Sequence, residues 1–487
     1  MEARPTPVQE ESEPLSRRAY GEVAGFFDDF ASREDHWLAR TGGYHTLVEK
    51  VCAALIPPGQ RVLEIGSGRG DLLASLRPVR GVGIDVSARM VEAASERHPE
   101  LEFHRLAGED LNLGEQFDYI VLSDLVGYVE DLQSLFESVA RHCHRRTRVV
   151  LSTYSNAWRP LLALLSAVGV RPRRPVRNWV GPEDLVNLAE LAGLERVLER
   201  KEILLPLTGR LSVVVNGLLA RLPMIRWLTL TTWLVARPAG QGTGEMTVSV
   251  IVPCHDEAGT VEEAVDRTPE MGAGTEIVFV DDHSSDGTGE RVEGVRAARP
   301  HRHIKLITAH GRGKSNAVRE GFDGSSGEVL MILDGDLTVA PEDLPKFYDA
   351  LSSGRGDLVN GSRLIYGMEP GAMRFLNLLG NKLFAVLLSH VLGQFVKDTL
   401  CGTKALHRSD WELIRDRRHE FHQEDPYGDF DLLLGASLLG MKIVDVPVRY
   451  GARNYGESKM RRFPVGGTFL RLTVAGYRRL WLRPVGR

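Results

Sequence analysis

Short apolar runs alternate with helix-like stretches along most of this chain. Arg61–Ile65, Val82–Ile84 and Phe117–Leu122 are too short for helices. They also lack the strict polar alternation of a half-exposed strand, so they read as strands buried on both faces of a parallel sheet. A Gly-rich polar stretch then interrupts the pattern, which resumes with Val248–Val252, Glu276–Val280 and Glu328–Leu333. Strand runs alternating with helical stretches predict two α/β domains, each a Rossmann-like three-layer fold. The expected order is a disordered tail over 1–19, a first domain over 20–238, a flexible linker over 239–246, a second domain over 247–462 and a C-terminal amphipathic helix over 463–487. The halves share no repeat, which points to fusion and not duplication.

A length of 487 residues exceeds one typical core and agrees with two domains. Met1 to Arg18 is rich in Pro, Glu and Ser without an apolar core, so it is expected to be a disordered tail and not an export signal. The run from Ile203 to Val235 is broken by Arg210, Arg221 and Arg226, and the run from Phe463 to Val485 by Arg471, Arg478, Arg479 and Arg483. Neither reaches the roughly 18 uninterrupted apolar residues of a membrane span. The second reads either as a helix lying on a membrane or as a docked helix with a solvated basic face. A net charge of -5 argues against a nucleic-acid partner. Cys52, Cys143, Cys254 and Cys401 lack zinc or CxxC spacing. Reduced thiols fit a cytoplasmic protein, and a peripheral contact at the inner face of the membrane is open to it.

In the first half, Arg61–Ile65 runs into Gly66-Ser-Gly-Arg-Gly70 and then into a helical stretch from Asp71. Glycines there let the backbone turn and approach a ligand. The next strand ends in Asp85, where an acid can hold two ribose hydroxyls. Glu64 precedes the turn, and a further strand ends in Ser123-Asp124. With its G-x-G-x-G spacing, this set resembles the class I S-adenosylmethionine-dependent methyltransferases. The resemblance implies that Glu64, Gly66, Gly68 and Gly70 line the methionine end of the cofactor and that Asp85 binds the ribose. It also places Asp110 near the adenine, with Ser123 and Asp124 at the mouth. The acceptor side is expected between Tyr154 and Trp179, where Trp158, Asn178 and Trp179 are either core or site. The sulfonium carries an activated methyl group, so positioning can supply much of the rate and no base is marked.

The second half carries acids at successive strand ends: Asp256-Glu257 after Val252-Pro253, Asp281-Asp282, and Asp334-Gly-Asp336. In open α/β sheets ligands bind at that edge. Gly311-Arg-Gly-Lys314, before a helix, suits a phosphate. A D-x-D pair can hold Mg2+ or Mn2+ across a diphosphate, which stabilises the leaving group. The ordered set resembles family 2 inverting glycosyltransferases, which implies a GT-A fold after the class I methyltransferase fold, and within them the dolichol- and polyprenyl-phosphate glycosyltransferases. The resemblance implies that Pro253, Glu257, Asp281, Asp282, Lys314 and Asp334 bind the nucleotide-sugar donor and that Asp334 and Asp336 bind the metal. Asp256 replaces the usual Asn of the opening motif. Arg363, Arg374, Arg453, Ser458 and Lys459 would bind acceptor phosphate. Asp398 opens a D-T-x-C-G-x-K segment, and Asp429 and Asp431 match an acidic pair.

These readings predict a bifunctional enzyme. One domain transfers a sugar with inversion to a lipid phosphate or glycan, and the other methylates with S-adenosylmethionine. A lipid phosphate needs no base, whereas a hydroxyl acceptor does, and Asp336, Asp398, Asp429 and Asp431 are then the catalytic candidates. In the alternative, the first domain only binds S-adenosylmethionine.

Overall fold

The computed structural model describes residues 20–31, 34–169, 172, 174–178, 180–207, 209–217, 219–222, 224–366, 375–421, 425, 427–451 and 462–482. The tail expected over 1–19 lies outside them. The chain divides into two compact units, Met1–Pro238 and Ala239–Arg487.

The first unit is built on seven strands: β1 (Arg61–Ile65), β2 (Arg80–Asp85), β3 (Glu102–Arg105), β4 (Phe117–Leu122), β5 (Cys143–Tyr154), β6 (Leu194–Glu202) and β7 (Thr231–Pro238). Their order is β3-β2-β1-β4-β5-β7-β6. β7 runs antiparallel to both neighbours, β5 and β6. Val62, Leu63, Val82, Ile84, Ile120 and Leu122 are buried, as continuous apolar runs in a sheet covered on both faces should be. The strand order reverses direction between β1 and β4, which opens a crevice above their carboxyl ends.

The second unit repeats that logic with β8 (Thr247–Cys254), β9 (Gly274–Asp281), β10 (His303–Thr308), β11 (Val329–Ile332), β12 (Leu358–Ser362), β13 (Lys404–His407) and β14 (Ile443–Pro447). The order is β10-β9-β8-β11-β13-β12-β14, with β13 antiparallel to β11 and β12. Cys254 pairs with Asp281 and Ile251 with Ile332, so the acidic ends of β8, β9 and β11 finish at one edge. The reversal here falls between β8 and β11.

One expectation changes, and one open alternative narrows. The stretch 239–246 is not a loose linker. Thr243 N donates to Ser352 O at 2.9 Å and Met246 N to the Tyr348 hydroxyl at 3.0 Å, which ties it to the helix Leu344–Ser352. The C-terminal segment is a helix, Arg462–Tyr477, with one further turn to Leu482. Phe469, Leu472, Leu480 and Trp481 are buried in the core of the second unit, and Phe469 stacks on Phe430 at 4.7 Å. Its apolar side is thus spent on packing, although Leu470 and Val474 remain exposed. No helix among the described residues is long and apolar enough to cross a membrane.

Candidate functional site

In the first unit, β1 ends in a turn where Gly66 and Gly68 take φ values of 74° and 51°. Side-chain-bearing residues rarely adopt this left-handed backbone, so glycine is the residue that fits. Gly68 N donates to Asp85 Oδ2 at 3.0 Å and Ser87 N to Oδ1 at 2.9 Å. Asp85 therefore fastens the turn to the end of β2. Burial pushes its carboxyl above the ordinary range despite those two bonds.

Above this turn lies a cavity of about 550 Å3. Glu64, Gly66, Gly68, Asp85, Ser123 and Asp124 line it, as the sequence led us to expect. Gly70 acts differently. A Cβ on it would stand 2.5 Å from the Phe103 ring, so it serves close packing beneath the turn. Asp110 is not part of the lining, and its neighbour Glu109 is. The 3-10 turn Gly108–Asp110 rotates adjacent side chains apart, which sequence alone does not reveal. Glu109 Oε1 accepts from the Tyr20 hydroxyl at 2.5 Å and from Asp131 N at 3.2 Å.

Two buried carboxylate oxygens in this cavity, Glu64 Oε2 and Glu109 Oε2, have no hydrogen-bond partner among the described residues. Burial drives the Glu64 carboxyl well above its usual range. Such orphaned acceptors are costly unless a ligand satisfies them. Asp124, at the mouth, holds φ at 53°. Its carboxylate accepts from the hydroxyls of Tyr44 at 2.8 Å, Tyr154 at 3.0 Å and Ser152 at 3.2 Å. His45 and Arg174 also line the cavity, and burial lowers the His45 pKa. Neither belongs to the expected set, because each lies on a helix or loop with no motif around it. Of the expected acceptor-side residues, Trp158 donates to Leu228 O and Asn178 to Val129 O, while Trp179 lies outside the described residues.

In the second unit three non-glycine residues take a left-handed backbone just beyond strand ends: Asp256 after β8, His283 after β9 and Leu337 after β11. Strain gathered at one sheet edge marks a functional surface. Asp281 Oδ1 accepts from Ser284 N at 3.1 Å, and Asp282 Oδ2 from Gly313 N at 2.8 Å. The second bond ties the β9 end to the Gly311–Lys314 loop. Pro253 is half-buried near the end of β8. Glu257, just beyond β8, is buried, and its N–H donates to the Thr288 hydroxyl at 3.0 Å.

Lys314 Nζ stands 2.5 Å from Asp334 Oδ1. Burial disfavours the ammonium, but Asp334, Asp429 and Asp336 outweigh it, and the Lys314 pKa lies above the ordinary lysine value. Burial likewise opposes ionisation of Asp334, yet the ammonium prevails and lowers its pKa. Asp336 Oδ1 accepts from the Thr338 N–H and hydroxyl. Among the described residues no group of three or more His, Cys, Asp or Glu gathers as a cation site.

The other candidate acids are each held by a cation. Asp398 is fully buried, and Arg363 grips it with Nε at 2.8 Å and Nη2 at 2.9 Å. Asn381 Nδ2 and the backbone N–H groups of Arg363 and Leu400 complete its shell. This corrects the expectation for both residues. A carboxylate with every lone pair occupied and no exposure is an anchor, and the Nε edge of Arg363 is spent on it. Asp429 Oδ1 accepts from the buried Lys404 Nζ at 2.9 Å. Asp431 Oδ2 accepts from Arg418 Nε at 2.7 Å, with Arg319 Nη1 at 3.5 Å. Between Asp398 and Lys404 the chain presses on the Lys314–Asp334 pair, since a Cβ on Gly402 would lie 2.4 Å from Asp334 Oδ2.

Asp425 escaped the sequence reading. It is buried and caps the helix Asp429–Leu438 by accepting from Phe430 N at 2.7 Å and Asp431 N at 3.2 Å. Burial, with Asp429 and Asp431 adding to it, raises its pKa to about 6. The D-P-x-G turn it opens was the available signal. Arg374, Arg453, Ser458 and Lys459 lie outside the described residues.

Known proteins place both units. Residues 37–199 match the model of the family described as "Methyltransferase domain", and residues 249–414 that of "Glycosyl transferase family 2". A dolichol-phosphate mannosyltransferase of Pyrococcus furiosus is 32% identical over 224 residues, which cover 44% of this chain and 60% of that protein. An undecaprenyl-phosphate mannosyltransferase of Micrococcus luteus is 27% identical over 252 residues, covering 48% of this chain and 96% of that protein. The chain spans 60% and 62% of the length of the first two curated relatives it matches. Among solved structures, a TehB-like SAM-dependent methyltransferase of Corynebacterium glutamicum is 18% identical with a TM-score of 0.31, covering 44% of this chain and 98% of that one. This chain joins a methyltransferase domain to a family 2 glycosyltransferase domain.

Proposed function

We propose that the second unit transfers a sugar, with inversion, from a nucleotide-diphospho-sugar to a lipid phosphate of the polyprenyl class. In the same reading the first unit methylates an acceptor with S-adenosylmethionine. The observation that carries the lipid-phosphate reading is the state of the acids. Asp398, Asp429 and Asp431 are each held by Arg363, Lys404 or Arg418, and Asp425 is a buried helix cap. This reading gives none of these four the role of general base and assigns Asp336 to the metal. A phosphate acceptor arrives as an anion and needs none, whereas a sugar hydroxyl does. The polyprenyl- and dolichol-phosphate transferases among the relatives support the same acceptor class.

On the donor side, Asp281 and Asp282 would hold the nucleoside and Lys314 the diphosphate. Asp334 and Asp336 supply hard oxygen donors, and the Lys314 ammonium keeps Asp334 ionised. Two carboxylates suffice for Mg2+ or Mn2+ when the diphosphate and water complete the shell, so the residues fit such an ion. The cation would supply charge stabilisation to the departing diphosphate. Lys314 is placed to shed Asp334 for a phosphate oxygen as donor enters, since an ammonium on a flexible stem can exchange one anion for another. In the first unit, the orphaned Glu64 Oε2 and Glu109 Oε2 fit a ligand that brings a cationic amine and N–H or O–H donors, as S-adenosylmethionine does. That cofactor would supply an activated methyl group. Asp85 would hold the ribose, and Glu109 replaces Asp110 as the acid nearest the adenine. The protein would act as a cytoplasmic enzyme peripheral to a membrane.

The test is incubation of the full chain with a panel of nucleotide-diphospho-sugars and Mn2+, with polyprenyl phosphate or a sugar acceptor, read by mass spectrometry. Glycosylated lipid phosphate from wild type and none from an Asp334→Asn, Asp336→Asn variant is the expected result. Transfer to the sugar hydroxyl with no lipid product would overturn the acceptor assignment.

A further inference from the structure

Two connections in the first unit contain no acid. Residues 155–180 follow β5, and residues 203–230 join β6 to β7. Together they hold 54 residues with eight arginines and no Asp or Glu, whereas the chain overall carries 65 acids in 487 residues. At that frequency 54 residues would carry about seven. Both connections thus fall below the chain's average acid content.

The structure brings the two connections together. Ser155 N donates to Leu230 O at 2.8 Å, Leu230 N to Ile203 O at 2.8 Å, and Trp158 Nε1 to Leu228 O at 2.7 Å. The backbone beneath is fixed. Buried Asn216 accepts from Leu204 N at 2.7 Å and Leu205 N at 2.8 Å, and its amide donates to Leu205 O at 2.9 Å. On this pinned frame the outward side chains are large and apolar: Leu164 is 58% exposed, Val168 61%, Leu211 71%, Met224 88%, Trp227 63% and Leu228 57%. Arg159 and Arg226 are exposed among them, and Lys201 Nζ sits 3.7 Å over the Trp227 ring. Scattered apolar residues on a surface need no explanation, but six carried by two segments that are bonded to each other do.

We propose that this face of the methyltransferase unit docks on an anionic lipid surface. Three features favour a bilayer over a protein. The charges that the two connections contribute are all of one sign, which suits anionic headgroups and would disfavour a second copy of the same face. Leu and Val protrude beside Trp and Arg, the residue mixture of an interfacial segment that buries its apolar side among headgroups. No helix among the described residues is long and apolar enough to span, so a contact in the interface is the form that fits.

Position gives the surface a use. The connections leave the sheet at the ends of β5 and β6 and return at the start of β7, the same edge at which the cavity opens. Tyr154 at the end of β5 bonds to Asp124, and Arg174 within the first connection lines the cavity. A unit held by this face would present its cavity mouth to a methyl acceptor resident in the membrane. The docking claim does not depend on the catalytic reading of either unit.

The experiment is flotation of the full chain with phosphatidylcholine vesicles, with and without about one third phosphatidylglycerol. The comparison is a Leu211→Asp, Met224→Asp, Trp227→Asp variant. Wild type should float with anionic vesicles at least tenfold more strongly than with neutral ones. The triple variant should lose most of that binding while its melting temperature and S-adenosylmethionine affinity stay unchanged. A second variant, Val386→Asp with Phe395→Asp, alters exposed apolar residues of the other unit. Loss of flotation in this second variant alone would overturn the proposal. So would a lipid-free wild-type dimer, seen by sedimentation velocity, that the triple variant converts to monomer.

Discussion

Arg363 Nε and Nη2 reach the two carboxylate oxygens of Asp398 at 2.8 and 2.9 Å, and that carboxylate is fully buried. The pair locks the end of β12 to the segment that carries Gly402 and Lys404. Burial alone would raise the Asp398 pKa, but the guanidinium outweighs it and holds the carboxyl below its usual range.

Removing one member of such a pair strands the other charge. Asp398→Ala should therefore destabilise the second unit by about 3–5 kcal/mol. Denaturant unfolding followed by intrinsic fluorescence checks this. Loss of transfer without loss of stability would restore Asp398 as a catalytic candidate.

The Lys314–Asp334 pair predicts a different pattern. Lys314→Met should weaken nucleotide-diphosphate binding at least tenfold, because the cation that meets the phosphates is gone. Stability should change little, since both side chains are only partly buried. Calorimetric titration with and without Mn2+ reads it, and a chelator should reduce wild-type binding in the same assay.

Gly402 lies against that pair without belonging to it. Gly402→Ala would force its methyl toward Asp334 Oδ2. Donor affinity should fall while Asp398 and Lys404 keep their partners. Equal affinity in the variant would show that the carboxylate has room to move.

Asp425 gives a pH dependence with a definite sign. Its folded pKa of about 6 lies above the unfolded value near 3.9, so the native state binds its proton more tightly. Stability contributed by that proton is present below about pH 4 and is lost as pH rises toward and through 6. Asp425→Asn should flatten this part of the stability profile and raise the melting temperature at pH 7.5. The amide oxygen can still accept from Phe430 N. An unchanged profile between pH 4 and 7 would refute the assignment.

In the first unit, Asp85→Ala should lower S-adenosylmethionine affinity at least tenfold, partly because Gly68 N loses its acceptor. Glu109→Gln should weaken binding more than Asp110→Asn, since Glu109 lines the cavity. Titration of the three variants ranks them.

Much of this architecture was legible in the sequence. Buried strands are continuous apolar runs, and a residue that closes such a run stands at a sheet edge by covalent continuity alone. Asp85, Asp281 and Asp334 could thus be assigned to strand ends, and Gly66 and Gly68 to a left-handed turn, without knowing what lay beside them. The partners were not legible. Asp398 and Arg363 are separated by 35 residues and Asp429 and Lys404 by 25, so a salt-bridge reading was open in the sequence but only the packing of the segments decided which groups pair. That Glu109 and not Asp110 lines the cavity follows from the rotation of one 3-10 turn. Local sequence sets backbone conformation and burial tendency. Which charges cancel depends on distances between segments, and the fold decides those.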